Sequence, residues 1–323
     1  MAAPPFLRID DGTPAGPADP ELLIIGNFDG VHRGHQAVLA HASTIAEKSG
    51  LATAVLTFDP HPAAVLGREP PAALTTLLRK AQLLREAGAR SVWVRTFDRD
   101  FAGWSPERFA RELVKEQLRA AIVVVGDNFR FGAHRGGDHA LLRTLGAALD
   151  FTVEPHPMAG DAGGPFSSTR VRAALAEGDV EAAEAVLGRP HAFSGVVHEG
   201  DKRGRTIGFP TANVEEIPEL VPKNGVYAVT VDELDPRDPA GGANAIGQGV
   251  MNIGVRPTVK GADGGRRTQE VHLFDFAGDL YGRTLRVHLV ARLRDEMKLD
   301  GLPALKAQIA KDSAEAKKRL AQR

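Results

Sequence analysis

The chain contains no cysteine. Disulfides, thiolate metal centres and cysteine nucleophiles are therefore excluded. It also lacks an excess of charge of one sign, with 40 Lys plus Arg against 41 Asp plus Glu and a formal net charge of −1. Non-specific nucleic-acid binding needs a basic surface, so no nucleic-acid partner is expected, although local basic pockets for phosphate stay compatible with this balance. No apolar run approaches the roughly 20 residues of a membrane span, and no membrane association is expected. The opening stretch MAAPPFLRIDDGTPAGPADP has no signal-peptide core and reads as a frayed, Pro-rich lead-in. The expected compartment is the cytoplasm, and a monomer or weak homo-oligomer is expected. No internal repeat is visible, and the phosphate-binding pattern GxxxxGK[ST] is absent.

At 323 residues, 43% hydrophobic and 25% charged, the chain reads as a globular protein too long for one core. Residues 20–155 alternate apolar runs (Leu22–Ile25, Ala52–Phe58, Ser91–Val94, Ala121–Val125, Phe151–Val153) with segments of helical spacing such as Leu74–Glu86. Ser105-Pro106-Glu107 is a helix start, with Ser as N-cap and Pro at the first helical position. This rhythm implies an α/β, Rossmann-like domain whose parallel sheet is covered by helices on both faces. Residues 168–187 read as two short helices broken at Gly178-Asp179, and Gly188-Arg189-Pro190 as a boundary, giving domains 1–187 and 188–323. Beyond it, short strands at Ala192–His198, Val226–Val231, Ala245–Ile253, Gln269–Phe276 and Thr284–Val290 occur without crossover helices. That half reads as a small antiparallel β-barrel, with a loop at Asp235–Gly242 and a C-terminal amphipathic helix over Leu302–Arg323 carrying Leu302, Leu305, Ile309 and Leu320.

Parallel sheets bind ligands at the carboxyl ends of their strands. Three segments of the first half fall there: Gly26–His35, Thr57–Pro62 and Gly126–Gly132. In the first, GNFDGVHRGH, glycines allow a sharp turn and His32 and His35 come at the N-terminus of a helix, where free N–H groups attract phosphate. Strand, glycine turn, His-x-Gly-His and helix together form a device for holding a nucleoside triphosphate by its phosphates. A second cluster, FSSTRVR at 166–172, offers hydroxyls and guanidinium groups suited to phosphate. In the second half, glycines at 195, 200, 204 and 208 lead into Pro210-Thr211-Ala212-Asn213. Thr211 and Asn213 provide neutral oxygens suited to Mg²⁺ that is also held by substrate phosphates. Strand alternation puts Glu270 and His272 on one face and Val271 on the other.

These segments resemble, in order, the motifs of the bacterial bifunctional riboflavin kinase/FAD synthetase family. GNFDGVHRGH resembles its HxGH nucleotidylyltransferase signature, FSSTRVR its ISSTxIR motif with Phe166 in place of Ile or Val, and TFDPHP and GDNFRFG two of its loops. GRTIGFPTAN resembles its GRxLGFPTAN kinase motif, QEVHLFDF its ETHLxDF segment with Val271 for Thr, and RLRDEMKL its RLRDExxF loop with Leu299 for Phe. NGVYAV at 224–229 and MNIGVRPT at 251–258 match the kinase pattern as well.

The resemblance implies FMN adenylyltransferase and riboflavin kinase activities, with riboflavin, FMN and ATP as partners, FAD as product and Mg²⁺ as cofactor. It implies catalytic roles for His32 and His35, and phosphate contacts from Gly26, Asn27, Phe28, Gly34, Ser168, Thr169 and Arg170. On the kinase side it implies ATP contacts from Gly200, Lys202, Gly204, Arg205 and Gly208, metal ligation by Thr211 and Asn213, and Glu270 as general base. Flavin contacts are implied for Asp59, His61, Asn128, Phe129, Arg292 and Asp295. The aromatics flanking Asn128 fit core packing and flavin stacking equally. The alternative is an HxGH adenylyltransferase carrying a non-catalytic, flavin-binding or regulatory barrel.

Overall fold

The computed structural model describes residues 7–9, 19–199, 208–235, 237–238, 242–256 and 266–323. Its compact units are residues 1–72 with 77–167, and residues 73–76 with 168–323.

The first unit is built on a six-stranded sheet of order β1-β4-β3-β2-β5-β8. Its strands are β1 (Leu7–Ile9), β2 (Glu21–Ile25), β3 (Ala52–Asp59), β4 (Ser91–Thr96), β5 (Ala120–Gly126) and β8 (Thr152–His156), all paired in parallel. The expected strands are present, and the expected lead-in is corrected at one point. Leu7–Ile9 pairs with Val92–Val94 as an edge strand, and Leu7 is buried.

Both faces of the sheet are covered, as continuous apolar strands require. Leu22 and Ile24 of β2 join one core with Val55, Val92 and Val124, whereas Leu23 and Ile25 join the other with Leu56, Val123 and Val125. Burying each such side chain contributes about 1.5–3 kcal/mol. Helix α1 (Arg33–Ser49) covers the first core through Leu39, Ala42 and Ala46. After β3 come α2 (Pro62–Val65) and α3 (Leu77–Glu86), the latter starting three residues later than the spacing predicts. After β4 come α4 (Arg99–Ala102) and α5 (Pro106–Arg108). Ser105 accepts the Arg108 N–H as the expected N-cap, and α5 runs on as a π-helix over Phe109–Gln117. Between β5 and β8 lie the two-residue strands β6 (Arg130–Phe131) and β7 (Gly137–Asp138) and helix α6 (His139–Leu149). A second small hairpin, β9 (Gly160–Asp161) with β10 (Gly164–Pro165), leads to Phe166.

Helices α7 (Ser168–Glu177) and α8 (Val180–Leu187) open the second unit, with the expected break at Gly178 and Asp179. Asp179 caps α8 by accepting the Ala182 N–H. By packing these helices go with the barrel, so the compact units divide before α7 rather than after α8. The barrel is closed, in the order β11-β12-β15-β14-β13-β16. Its strands are β11 (His191–His198), β12 (Ala212–Glu215), β13 (Gly225–Leu234), β14 (Ala243–Arg256), β15 (Arg266–Leu273) and β16 (Thr284–Arg294), all antiparallel. Phe193, Val214, Tyr227, Val229, Met251, Val271, Val287 and Leu289 are buried. Strand β12 is missing from the sequence expectation because its four residues fall within the glycine-rich motif segment.

The last helix, α9 (Gly301–Leu320), buries Asp312, Ala316 and Leu320, and Ala316 and Leu320 join Val226, Val250 and Val290 in a core outside the barrel. The expected face is corrected at Leu302, which is 60% exposed. The anchor is polar: Asp312 accepts from Arg294 through both Nε and Nη2 and from Gln308. Asp312→Ala is expected to lower stability by about 2–3 kcal/mol, less than a fully buried pair because Arg294 keeps some solvent. Denaturant unfolding checks this, and a loss below about 0.5 kcal/mol would contradict it.

Candidate active sites

In the first sheet the chain runs outward from β2 through β3 to β4 on one side and from β5 to β8 on the other. The crevice of such a sheet opens where the order reverses, at the carboxyl ends of β2 and β5. The GNFDGVHRGH turn leaves β2 there and GDNFRFG leaves β5. The turn is pinned to β3, since Gly26 N–H donates to Leu56 O (3.1 Å) and Thr57 Oγ1 to Asn27 O (3.1 Å). Phe28, Gly30 and Val31 all have positive φ, at 52°, 79° and 40°. For a β-branched residue that is costly, about 1–3 kcal/mol. Hydrogen bonds hold it: Val31 N–H donates to Phe28 O (3.1 Å) and Gln36 Nε2 to Val31 O (2.9 Å).

This turn delivers His32 as the N-cap residue of α1, with His35 in its first turn. The two imidazoles stack, with centroids 3.6 Å apart and planes at 24°, and Phe28 meets His35 edge-on at 5.0 Å. Gly34 makes room for the pair. A Cβ there would stand 3.0 Å from His32 Nδ1 and 3.3 Å from Phe166 Cβ. Phe166 departs from the family pattern with a physical consequence, since the Arg33 guanidinium lies 4.9 Å from its ring centroid.

The remaining loops of this unit have mixed placements. Asp59 is exposed at the end of β3. His61 Nδ1 accepts the Ala63 N–H and so caps α2. Asp127 and Asn128 are exposed at the end of β5, in a turn closed by Phe129 N–H to Gly126 O. Phe131 belongs to the core, and Phe129 stacks on it at 5.5 Å with its own ring partly buried. Lys80 escapes sequence reasoning, although helical spacing puts it on the buried face of α3 with Leu77 and Leu84. It is 9% exposed. Burial pushes its pKa down, against the opposing pull of the Asp29 and Asp59 carboxylates. Asp29 is itself buried, between Phe28 and Gly30.

In the second unit, Ser168, Thr169 and Arg170 form the first turn of α7. Gly200, Lys202, Gly204 and Arg205 lie outside the described residues, as do Pro257 and Thr258. Gly208 takes φ 88° just before the PTAN segment. Thr211 immediately precedes β12, and alternation with buried Ala212 and Val214 puts Asn213 on the outer face. Register then sets Asn213 opposite Glu270, and Glu270 opposite Asn252 on the other side. The three polar residues form one row across β12, β15 and β14. His272 holds the row's approach: its Nδ1 is 2.8 Å from Pro210 O, and its ring meets Phe209 edge-on. Val271, where the family pattern has Thr, is buried inside the barrel opposite Ala212 and Met251. Arg292 and Asp295 bind each other at 2.7 Å, and Arg292 also donates to Asn224 O. Arg292 lies flat on Gly178, where a Cβ would stand 2.6 Å from its Nε.

The comparisons match both architectures. Residues 17–170 match the family model described as FAD synthetase, and residues 187–320 the one described as riboflavin kinase. The bifunctional riboflavin kinase/FMN adenylyltransferase of Escherichia coli strain K12 is 43% identical over 297 residues, 92% of this chain and 91% of the relative. The chain belongs to the bifunctional riboflavin kinase/FMN adenylyltransferase family. Its counterpart in Bacillus subtilis strain 168 is 38% identical over 302 residues, 91% of each chain. A crystal structure from Streptococcus pneumoniae, titled a macrolide-efflux protein, shares the fold with TM-score 0.81 and 29% identity, covering 95% of this chain and 97% of that one. Among the described residues here, no helix is long and apolar enough to cross a membrane. The FAD synthetase match ends at Arg170, so it takes in Ser168 and Thr169, which by packing belong to the barrel unit.

Replacing Lys80 with Met removes a buried cation that the Asp29 carboxylate attracts. We expect Lys80→Met to lower the stability of the sheet unit by about 2–3 kcal/mol in urea unfolding, and Asp29→Asn added to it to restore part of the loss. A double variant no more stable than Lys80→Met would contradict this pairing.

Proposed function

We propose that this chain makes both flavin nucleotides: it phosphorylates riboflavin to FMN with ATP, and adenylylates FMN to FAD with release of pyrophosphate. The first reaction is assigned to residues 188–323 and the second to residues 1–187. The observation that carries the reading is the row Asn213–Glu270–Asn252, a carboxylate between two amides on one barrel face. Glu270 takes the proton of the ribityl hydroxyl as that oxygen attacks the γ-phosphorus and the bond to ADP breaks. Thr211 and Asn213 suit Mg²⁺. Their neutral oxygens leave most of the ion's coordination to water and ATP phosphates, and the ion supplies charge neutralisation on the transferred group. Glu270 opposite Asn213 then stands at the edge of that nucleotide site. A barrel that only bound flavin would not need this set, so the non-catalytic alternative is not favoured.

In the sheet domain a phosphate oxygen of FMN attacks the α-phosphorus of ATP, and the bond to pyrophosphate breaks. No side-chain nucleophile is required. His32, His35 and the free N–H groups of α1 stabilise the charge that builds on the phosphates. Gly26, Asn27, Phe28 and Gly34 shape that turn. For Ser168, Thr169 and Arg170 as pyrophosphate contacts, and for Asp59, His61, Asn128, Phe129, Arg292 and Asp295 as flavin contacts, the support is the family pattern. Cytoplasmic location and a monomeric or weakly associating state belong to the same reading.

The two activities separate by mutation. With FMN and ATP supplied, His32→Ala and His35→Ala should lower FAD formation by about 10²–10³-fold while riboflavin phosphorylation stays within about threefold. Glu270→Ala should do the reverse, lowering FMN formation by about 10²–10⁴-fold and sparing FAD formation. Equal loss of both activities in either variant would contradict the two-site assignment.

A further inference from the structure

Four residues from different parts of the barrel meet beside the Asn213–Glu270–Asn252 row. Asn224 precedes β13, Gly254 lies on β14, Arg267 on β15, and Glu296 in the RLRDEMK segment after β16. Arg267 Nε donates to Asn224 Oδ1 at 2.9 Å, and Asn224 Nδ2 donates to Glu296 Oε2 at 3.1 Å. Both ends of the Asn224 amide are thereby used, which fixes its orientation and, through it, the Glu296 carboxylate. Arg267 is itself tied to the backbone by donating to the carbonyls of Val221 and Pro222.

Glu296 occupies space that only a glycine leaves open. A Cβ on Gly254 would overlap its carboxylate, and would also stand 3.1 Å from Asn252 Nδ2. Gly254 is two residues beyond Asn252 on the same strand and so shares its face. Asn252 is in turn the cross-strand partner of Glu270. The Glu296 carboxylate therefore lies on the reactive face, next to Asn252 and on the side away from Asn213 and Thr211.

We propose that Glu296 is a positioning residue of the phosphoryl-transfer site: the Arg267–Asn224–Glu296 chain pins the segment after β16 over β14, as the wall against which the uncharged acceptor alcohol rests. This rests on the riboflavin kinase reading. Thr211 and Asn213 take the nucleotide at one end of the row, and this wall bounds the other end, where the acceptor is left room. The face is then polar in a defined order, with nucleotide at Thr211 and Asn213, proton transfer at Glu270, and acceptor at Asn252 and Glu296.

Steady-state riboflavin phosphorylation by the full chain tests this, with FAD formation from supplied FMN as the folding control. Glu296→Ala and Asn224→Ala should raise the KM for riboflavin about tenfold, with kcat and the KM for ATP within about threefold of the unsubstituted chain. Glu296→Gln, whose carbonyl still accepts from Asn224, should stay within about threefold in every parameter. Gly254→Ala should mimic Glu296→Ala. An unchanged riboflavin KM in Glu296→Ala overturns the proposal. So does a Glu296→Gln variant as impaired as Glu296→Ala, which would make the charge and not the bridge the active feature. If the unsubstituted chain fails to phosphorylate riboflavin, the kinase reading falls and this inference with it.

Discussion

At Gly34 and at Gly254 a Cβ would crowd a neighbouring side chain. The His32 ring lies over the first, and the Glu296 carboxylate over the second. Neither glycine has a positive φ, so conformational freedom is not what the chain gains there. The gain is close approach. In the sheet domain it lets two imidazoles stack at 3.6 Å on the opening turn of α1. In the barrel it lets a loop carboxylate settle on the outer face of β14. An added carbon at either position would force the neighbouring side chain to shift.

Around these two points the architectures solve different problems. Adenylyl transfer needs phosphates held in a crevice, and the parallel sheet opens one where its strand order reverses between β2 and β5. The strained turn there, with Val31 at φ 40°, is held by hydrogen bonds to β3 and α1 and so keeps a fixed shape. Buried Lys80 is attracted by Asp29 of that turn. Phosphoryl transfer to an alcohol needs a base beside the nucleotide, and strand register brings a carboxylate opposite a neutral amide. Asn213 and Glu270 are far apart in the chain, yet β12 and β15 set them directly opposite. A slip of one residue in that pairing would turn Glu270 into the barrel interior, where Val271 now packs.

Most of this was legible in the sequence where a pattern had a local cause. Apolar runs with helical spacers read as a covered parallel sheet, and Ser105-Pro106 and Gly178-Asp179 marked helix ends correctly. The exceptions have nonlocal causes. Leu7–Ile9 is too short to read as a strand and is one only because β4 offers an open edge. Strand β12 is hidden by the glycines before it, and Leu302 is exposed because α9 is registered by Asp312 and its ion pair with Arg294, not by its leucines. Among site residues, His32, His35, Asn213 and Glu270 stand out from motif and alternation alone. Lys80, Asn252 and Glu296 do not, because their significance comes from partners on other elements. His61 shows the converse, as a motif residue whose visible contact is a helix cap.

The central claim is that one chain carries both reactions in sequence. Incubating the purified protein with riboflavin, ATP and Mg²⁺, and resolving riboflavin, FMN and FAD by chromatography over time, tests it most directly. The account predicts that FMN rises first and FAD follows at its expense. No FMN from riboflavin, alongside FAD from supplied FMN, would contradict the kinase site. FMN that accumulates with no FAD would contradict the adenylyl-transfer site.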